Sequence, residues 1–178
     1  EMRLFARSPI VRRAAQLLLA TRGQDPVDHY RRVLQQPDAT GPPLRFALIG
    51  LSELGDPGDW DLLVSYFRSP ESALRVCTLA GLCRLDAERA REFLLEALVD
   101  ESPPLVRAAH RRLSRHRTRP VLEELEMILE IAQDAHNVEA VLWLGRWLPK
   151  WDALILLLLL LDSDGGSDAA FRKKVRLL

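Results

Sequence analysis

Between residues 107 and 119 the chain carries Arg107, His110, Arg111, Arg112, Arg115, His116, Arg117 and Arg119, its densest run of positive charge. Guanidinium groups gathered in this way suit polyanions, phosphates above all. Arg107, Arg111 and Arg115 follow i, i+4, i+8 spacing and share one face of a helix. No aromatic residue is interleaved with them for base stacking. The 25 basic side chains are also balanced by 25 acidic ones, whereas a nucleic-acid binder carries a positive excess. A solvated face, or one pairing with the glutamates that follow, is the favoured reading. Nucleic-acid binding through Arg107, Arg111, Arg112 and Arg115 is the alternative.

Acidic residues open a second set of helices at Asp28, Asp61, Glu92 and Glu123, and Glu124, Glu126 and Glu130 add charge to the last of these. Carboxylates near a helix N-terminus complement its dipole, for about 0.3–1 kcal/mol each. The same groups could edge a groove that selects basic or positively flanked partners. Asp61, Glu92, Glu123, Glu126 and Glu130 are therefore the candidate partner-binding acids. Trp143, Trp147 and Trp151 recur every fourth residue, although Pro149 breaks the helix before the third. Trp143 and Trp147 join the candidates as an aromatic anchor; the competing reading packs them against the following segment.

Catalysis has no motif here. His29, His110, His116 and His136 are dispersed and none is followed by Glu. There is no nucleophile elbow, phosphate-cradling glycine loop or metal-ligand spacing, so no catalytic, cofactor-binding or metal site is expected. Cys77 and Cys83 are six apart within one expected helix and point in different directions. They suggest neither a disulfide framework nor zinc, and a reducing compartment fits best. The apolar run over residues 153–161 is only nine residues long. A membrane-spanning helix needs about 20, so the run is expected to be a buried helix.

What positions these residues is a period. An aliphatic–arginine doublet recurs at Val11-Arg12, Leu44-Arg45, Leu74-Arg75 and Val106-Arg107, and in altered form at Val138-Glu139 and Phe171-Arg172. The steps are 33, 30, 32, 32 and 33 residues, which indicates a stack of like units instead of one globular core. Each unit reads as two helices. The second helices are in tighter register: Leu63, Leu94, Leu125 and Leu156 lie 31 apart, as do Phe67, Leu98, Leu129 and Leu160. Within each pair the spacing of four places both residues on one face. Tyr30 and Leu34 supply the same pair one unit earlier.

Turn chemistry falls between these stretches. Asp25-Pro26, Asp56-Pro57 and Asp86-Ala87 offer N-cap oxygens inside the units, and Ser8-Pro9, Ser69-Pro70 and Ser102-Pro103 separate one unit from the next. Gly50, Gly81 and Gly145 recur inside first helices. Glycine costs a helix about 1 kcal/mol relative to alanine, so its recurrence predicts close helix–helix approach. The units span about 9–42, 43–72, 73–103, 104–135 and 136–167, with a partial one at 168–178.

The period, the two-helix unit, the Ser/Asp-Pro turns and the doublet followed by alanines resemble HEAT repeats. Residues 8–15, Ser-Pro-Ile-Val-Arg-Arg-Ala-Ala, and 102–109, Ser-Pro-Pro-Leu-Val-Arg-Ala-Ala, are closest to the short class first noted in phycobilisome lyases. The resemblance covers residues 9–178 and implies an all-α, right-handed superhelix of about five hairpins, with second helices on the concave side. It also implies a structural role for the doublet arginines Arg12, Arg45, Arg75, Arg107 and Arg172, each bonding a turn acid or a helix-end carbonyl. Neither end reads as a polar capping unit, so residues 1–178 are expected to be one array cut from a longer, bacterial-type protein; the alternative is that the final helix is itself the cap.

HEAT arrays serve many purposes, and fold does not imply function. The reading these residues favour is a non-catalytic scaffold that binds another protein or another domain of its own chain. The alternatives are a nucleic-acid-binding array and an enzyme-associated, lyase-like or chromophore-binding subunit. The expected location is the cytoplasm, or the soluble part of a membrane-anchored protein.

Overall fold

The computed structural model describes residues 2–36, 39–115, 119–132 and 134–162. Among these the protein is all-helical, with ten α-helices and no strand. It divides into two compact units, Glu1–Ala90 and Arg91–Leu178.

In the first unit a 3₁₀ turn, Met2–Phe5, precedes α1 (Pro9–Thr21), α2 (Pro26–Leu34) and α3 (Gly41–Leu54). A second 3₁₀ turn, Pro57–Asp59, leads into α4 (Trp60–Phe67), followed by α5 (Ser72–Leu85). Two of the expected aspartate caps form: Asp25 Oδ1 accepts from the Val27 N–H and Asp56 Oδ1 from the Gly58 N–H. α3 packs against α2 and α5, and α4 against α5. Tyr30, Leu34, Leu48, Leu51, Leu63, Leu79 and Leu82 fill the space between them.

The glycines mark close approach, as the sequence predicts. A Cβ on Gly50 would stand 2.2 Å from Cζ of Tyr30, and one on Gly81 would stand 2.3 Å from the Ser52 hydroxyl oxygen. The side chain removed from α3 is thus replaced by an aromatic ring from α2.

In the second unit α6 (Arg91–Glu96) runs into a 3₁₀ turn, Ala97–Val99, and then come α7 (Pro103–Leu113), α8 (Leu122–Ile131), α9 (Ala135–Gly145) and α10 (Lys150–Asp162). α7 packs against α9, and α8 against α9 and α10. Leu94, Leu98, Leu105, Leu113, Leu125, Val141, Leu144, Leu156 and Leu160 form the core. Asn137, itself buried, donates to the carbonyls of Leu98 and Asp100 at 2.7 and 3.0 Å. It thereby satisfies helix-end acceptors that would otherwise be stranded away from water.

Every member of the two leucine columns is buried except Leu129, which is half-buried; Ile128 takes its place in the core. The turn at Asp86 also differs from expectation. Asp86 accepts from the Arg89 N–H, but regular helix starts only at Arg91. Without a proline to set φ at the first position, that bond and Ala90 N–H to Asp86 carbonyl close a tight turn first.

The apolar run 153–161 is helical but not a buried helix. Leu156 and Leu160 are buried, while Leu154, Ile155, Leu158, Leu159 and Leu161 are exposed and Trp151 is 70% exposed. α10 packs on one side only, against α8 and α9, and among the described residues nothing covers its outer side. No helix among the described residues is long and apolar enough to cross a membrane.

Candidate functional site

The doublet arginines do not behave as one ladder. Arg12 is only 3% exposed, and its Nε and Nη2 grip both carboxylate oxygens of Glu53 on α3 at 3.2 and 2.6 Å. Its Nη1 donates to the carbonyls of Ala6 and Arg7. Gln16 extends the network, donating to Glu53 and to Tyr30 Oη, which in turn donates to the Leu4 carbonyl. Burial raises the Tyr30 pKa, so the phenol stays neutral and keeps its proton for that bond. Because α1 turns these polar groups inward, Ile10, Val11, Leu17 and Leu18 face outward.

Arg75 Nη1 reaches the Ser69 carbonyl in the turn after α4, a structural role that uses a turn carbonyl instead of a helix-end one. Arg45 is half-buried with its guanidinium over the Phe46 ring. Arg107 is exposed, and its own carbonyl accepts from Arg111 Nε. Arg172 lies outside the described residues. The structural role therefore holds for Arg12 and Arg75, whereas Arg107 faces solvent.

Asp61, Glu92 and Glu123 lie exposed in the first turns of α4, α6 and α8. Glu130 is exposed as well, and Glu126 is half-buried. Glu124 differs from its neighbours. It accepts from the Val121 N–H at the start of α8 and takes both Nη groups of Arg91 at 2.5 Å. The Arg91 bonds hold its carboxyl below the usual glutamate range.

The first unit contains the same device. Asp59 accepts from the Asp56 N–H, closing a capping box, and receives Arg31 Nε and Nη2 at 2.7 and 3.1 Å. In each unit, then, an arginine from one second helix clamps the N-terminal capping acid of a later one. Sequence reasoning found the Asp56 cap but missed Arg31, Asp59 and Arg91, and treated Glu124 as groove charge. The readable signal was the capping-box spacing, Asp56-x-x-Asp59 and Val121-x-x-Glu124; the arginines carry no local signature.

In the basic cluster Arg107, Arg111 and Arg115 are exposed and Arg112 is half-buried. The half-buried His110 shares its Nε2 with the Ser114 hydroxyl at 3.3 Å, and burial and Arg111 lower its pKa, which favours the neutral ring. His116 and Arg117 lie outside the described residues. No carboxylate among the described residues pairs with Arg107, Arg111, Arg112, Arg115 or Arg119, so the expected pairing with the following glutamates does not occur there.

No aromatic is interleaved with the cluster in the sequence, but packing brings one of its arginines, Arg119, to an indole. Arg119 Cζ stands 4.2 Å from the centroid of Trp147, and Arg146 Cζ stands 5.5 and 5.7 Å from those of Trp143 and Trp147. Both indoles come from α9 and its exit turn, and both remain more than 40% exposed. They are therefore not packed away as core. The sequence separates them from the arginines by a whole helix, and tertiary packing brings them back.

Behind Arg146 is a cleft of about 80 Å³ lined by Leu142, Gly145, Ala153, Leu156 and Leu157. It is far smaller than the roughly 300–1,000 Å³ of a small-molecule site. Burial pushes the Cys77 thiol up, away from thiolate chemistry. No group of three His, Cys, Asp or Glu among the described residues could hold a metal ion. No protein-family model, curated protein or solved structure matches the chain. Its chemistry is read from its own side chains.

Proposed function

We propose that the protein is a non-catalytic, HEAT-like helical-repeat scaffold that holds another protein, or another domain of its own chain, on its second helices. On this reading residues 1–178 form one repeat array that works in the cytoplasm. The repeats form a right-handed superhelix of about five hairpins. The 31-residue columns and the arginine clamp found in each unit support a repeat built from like hairpins.

One observation carries the binding role. α10 exposes Trp151, Leu154, Ile155, Leu158, Leu159 and Leu161, and α8 exposes Met127 and Ile131 beside Glu123 and Glu130. Contiguous apolar surface of this kind on a monomer marks an interaction site, and the neighbouring acids favour a partner with basic flanks. The test is affinity capture from the source cell with the parent chain and with Leu158→Glu, both shown to be folded by circular dichroism. A partner retained by the parent and lost by the variant supports the reading. The same proteins recovered equally with both would refute it.

A further inference from the structure

We propose that the edge of the second unit where the segment entering α8 meets the end of α9 binds single-stranded nucleic acid. The contact that defines this edge is Arg119 over Trp147, with Arg146 over Trp147 and Trp143. A guanidinium over an indole keeps N–H edges free for anionic oxygens. No carboxylate among the described residues occupies those edges on Arg115, Arg119 or Arg146. Both indoles keep over 40% of their surface open, so each can still take a flat ring.

Trp143 on α9 and Trp147 in its exit turn both lie beside Arg146, so successive nucleotides of one unpaired strand can reach both rings. A ligand that fits must supply anions and flat rings in alternation. A single strand does so: its phosphates meet the arginines and its bases stack on the indoles. A duplex keeps its base faces hidden in the stack, and an acidic peptide brings carboxylates without rings. The two proposals rest on different side chains, Arg119, Arg146, Trp143 and Trp147 here and Leu158 with its exposed neighbours there, so either can fail without the other.

The test is fluorescence anisotropy of labelled oligothymidylate about 12 nucleotides long, titrated with the full chain at about 50 mM salt. Binding should weaken as salt rises, and Arg119→Ala should flatten the log–log slope by about 0.7. Trp147→Ala should weaken binding about 5- to 150-fold, while Trp147→Phe keeps most of it. Arg146→Ala, at an exposed residue, serves as a second loss-of-binding variant. The proposal is overturned by no binding at low salt, or by Trp147→Ala binding like the parent. Equal affinity for a hairpin duplex, or equal competition by a glutamate-rich peptide, overturns it too.

Discussion

Gly50 offers a direct measure of how tightly the first unit is packed. Alanine is the better helix former by about 1 kcal/mol, so on propensity alone Gly50→Ala would stabilise α3. The structure opposes this. The new methyl would stand 2.2, 2.4 and 2.6 Å from three ring carbons of Tyr30, where carbon contacts settle near about 3.5–4.0 Å.

The ring must therefore retreat by more than about 1 Å, and it has nowhere to go. Tyr30 is fully buried, meets Phe5 edge to face at 5.9 Å, and is tied through Oη to Gln16 and the Leu4 carbonyl. Overpacking costs about 1–3 kcal/mol, and weakening the two long Oη bonds adds about 1 kcal/mol. Set against the propensity gain, the net loss is about 1–3 kcal/mol. Urea unfolding followed by circular dichroism should show the midpoint falling. Tyr30→Leu should remove most of the penalty, so the double variant should be more stable than the sum of the two singles implies. A Gly50→Ala protein more stable than its parent, or a cycle without coupling, would refute the argument.

Arg12→Met leaves the Glu53 carboxylate without its partner, and thermal melts should register a loss of about 3–5 kcal/mol; an unchanged melt would show that the pair contributes nothing. Glu124 contributes stability that is present above the ordinary glutamate pKa, and lost as pH falls through its lower folded value. Glu124→Gln should accordingly weaken the fold at neutral pH and flatten the acid limb of its stability profile, and an acid limb identical to the parent's would exclude that linkage. Leu94→Asp or Leu125→Asp places a charge at a site without solvent. Cooperative unfolding should disappear, and a parent-like melt in either variant would contradict the column assignment.

The columns were legible because burial at i and i+4 follows from helix geometry alone. Their one slip, Ile128 for Leu129, depends on how α8 rotates against its neighbours, which periodicity does not encode. The glycine positions were legible for a related reason: each is a local cost that demands a neighbour. The clamps were only half legible. Asp56-x-x-Asp59 and Val121-x-x-Glu124 are local, but Arg31 and Arg91 lie 28 and 33 residues from their acids, and no helical period links them. The Arg119–Trp147 contact was hidden in the same way. α10 misled because nine apolar residues in a row state a preference for burial without stating what is available to bury them.

The clamps also bear on the order in which the chain can assemble. In each case the arginine precedes the acid that it holds, so it is already present when the later helix forms its first turn. That turn is the costly step of helix formation. The carboxylate that closes it is aligned by a guanidinium from a hairpin made earlier. Within each unit the helix that carries the arginine thus presents a template for the first turn of the second helix that follows it.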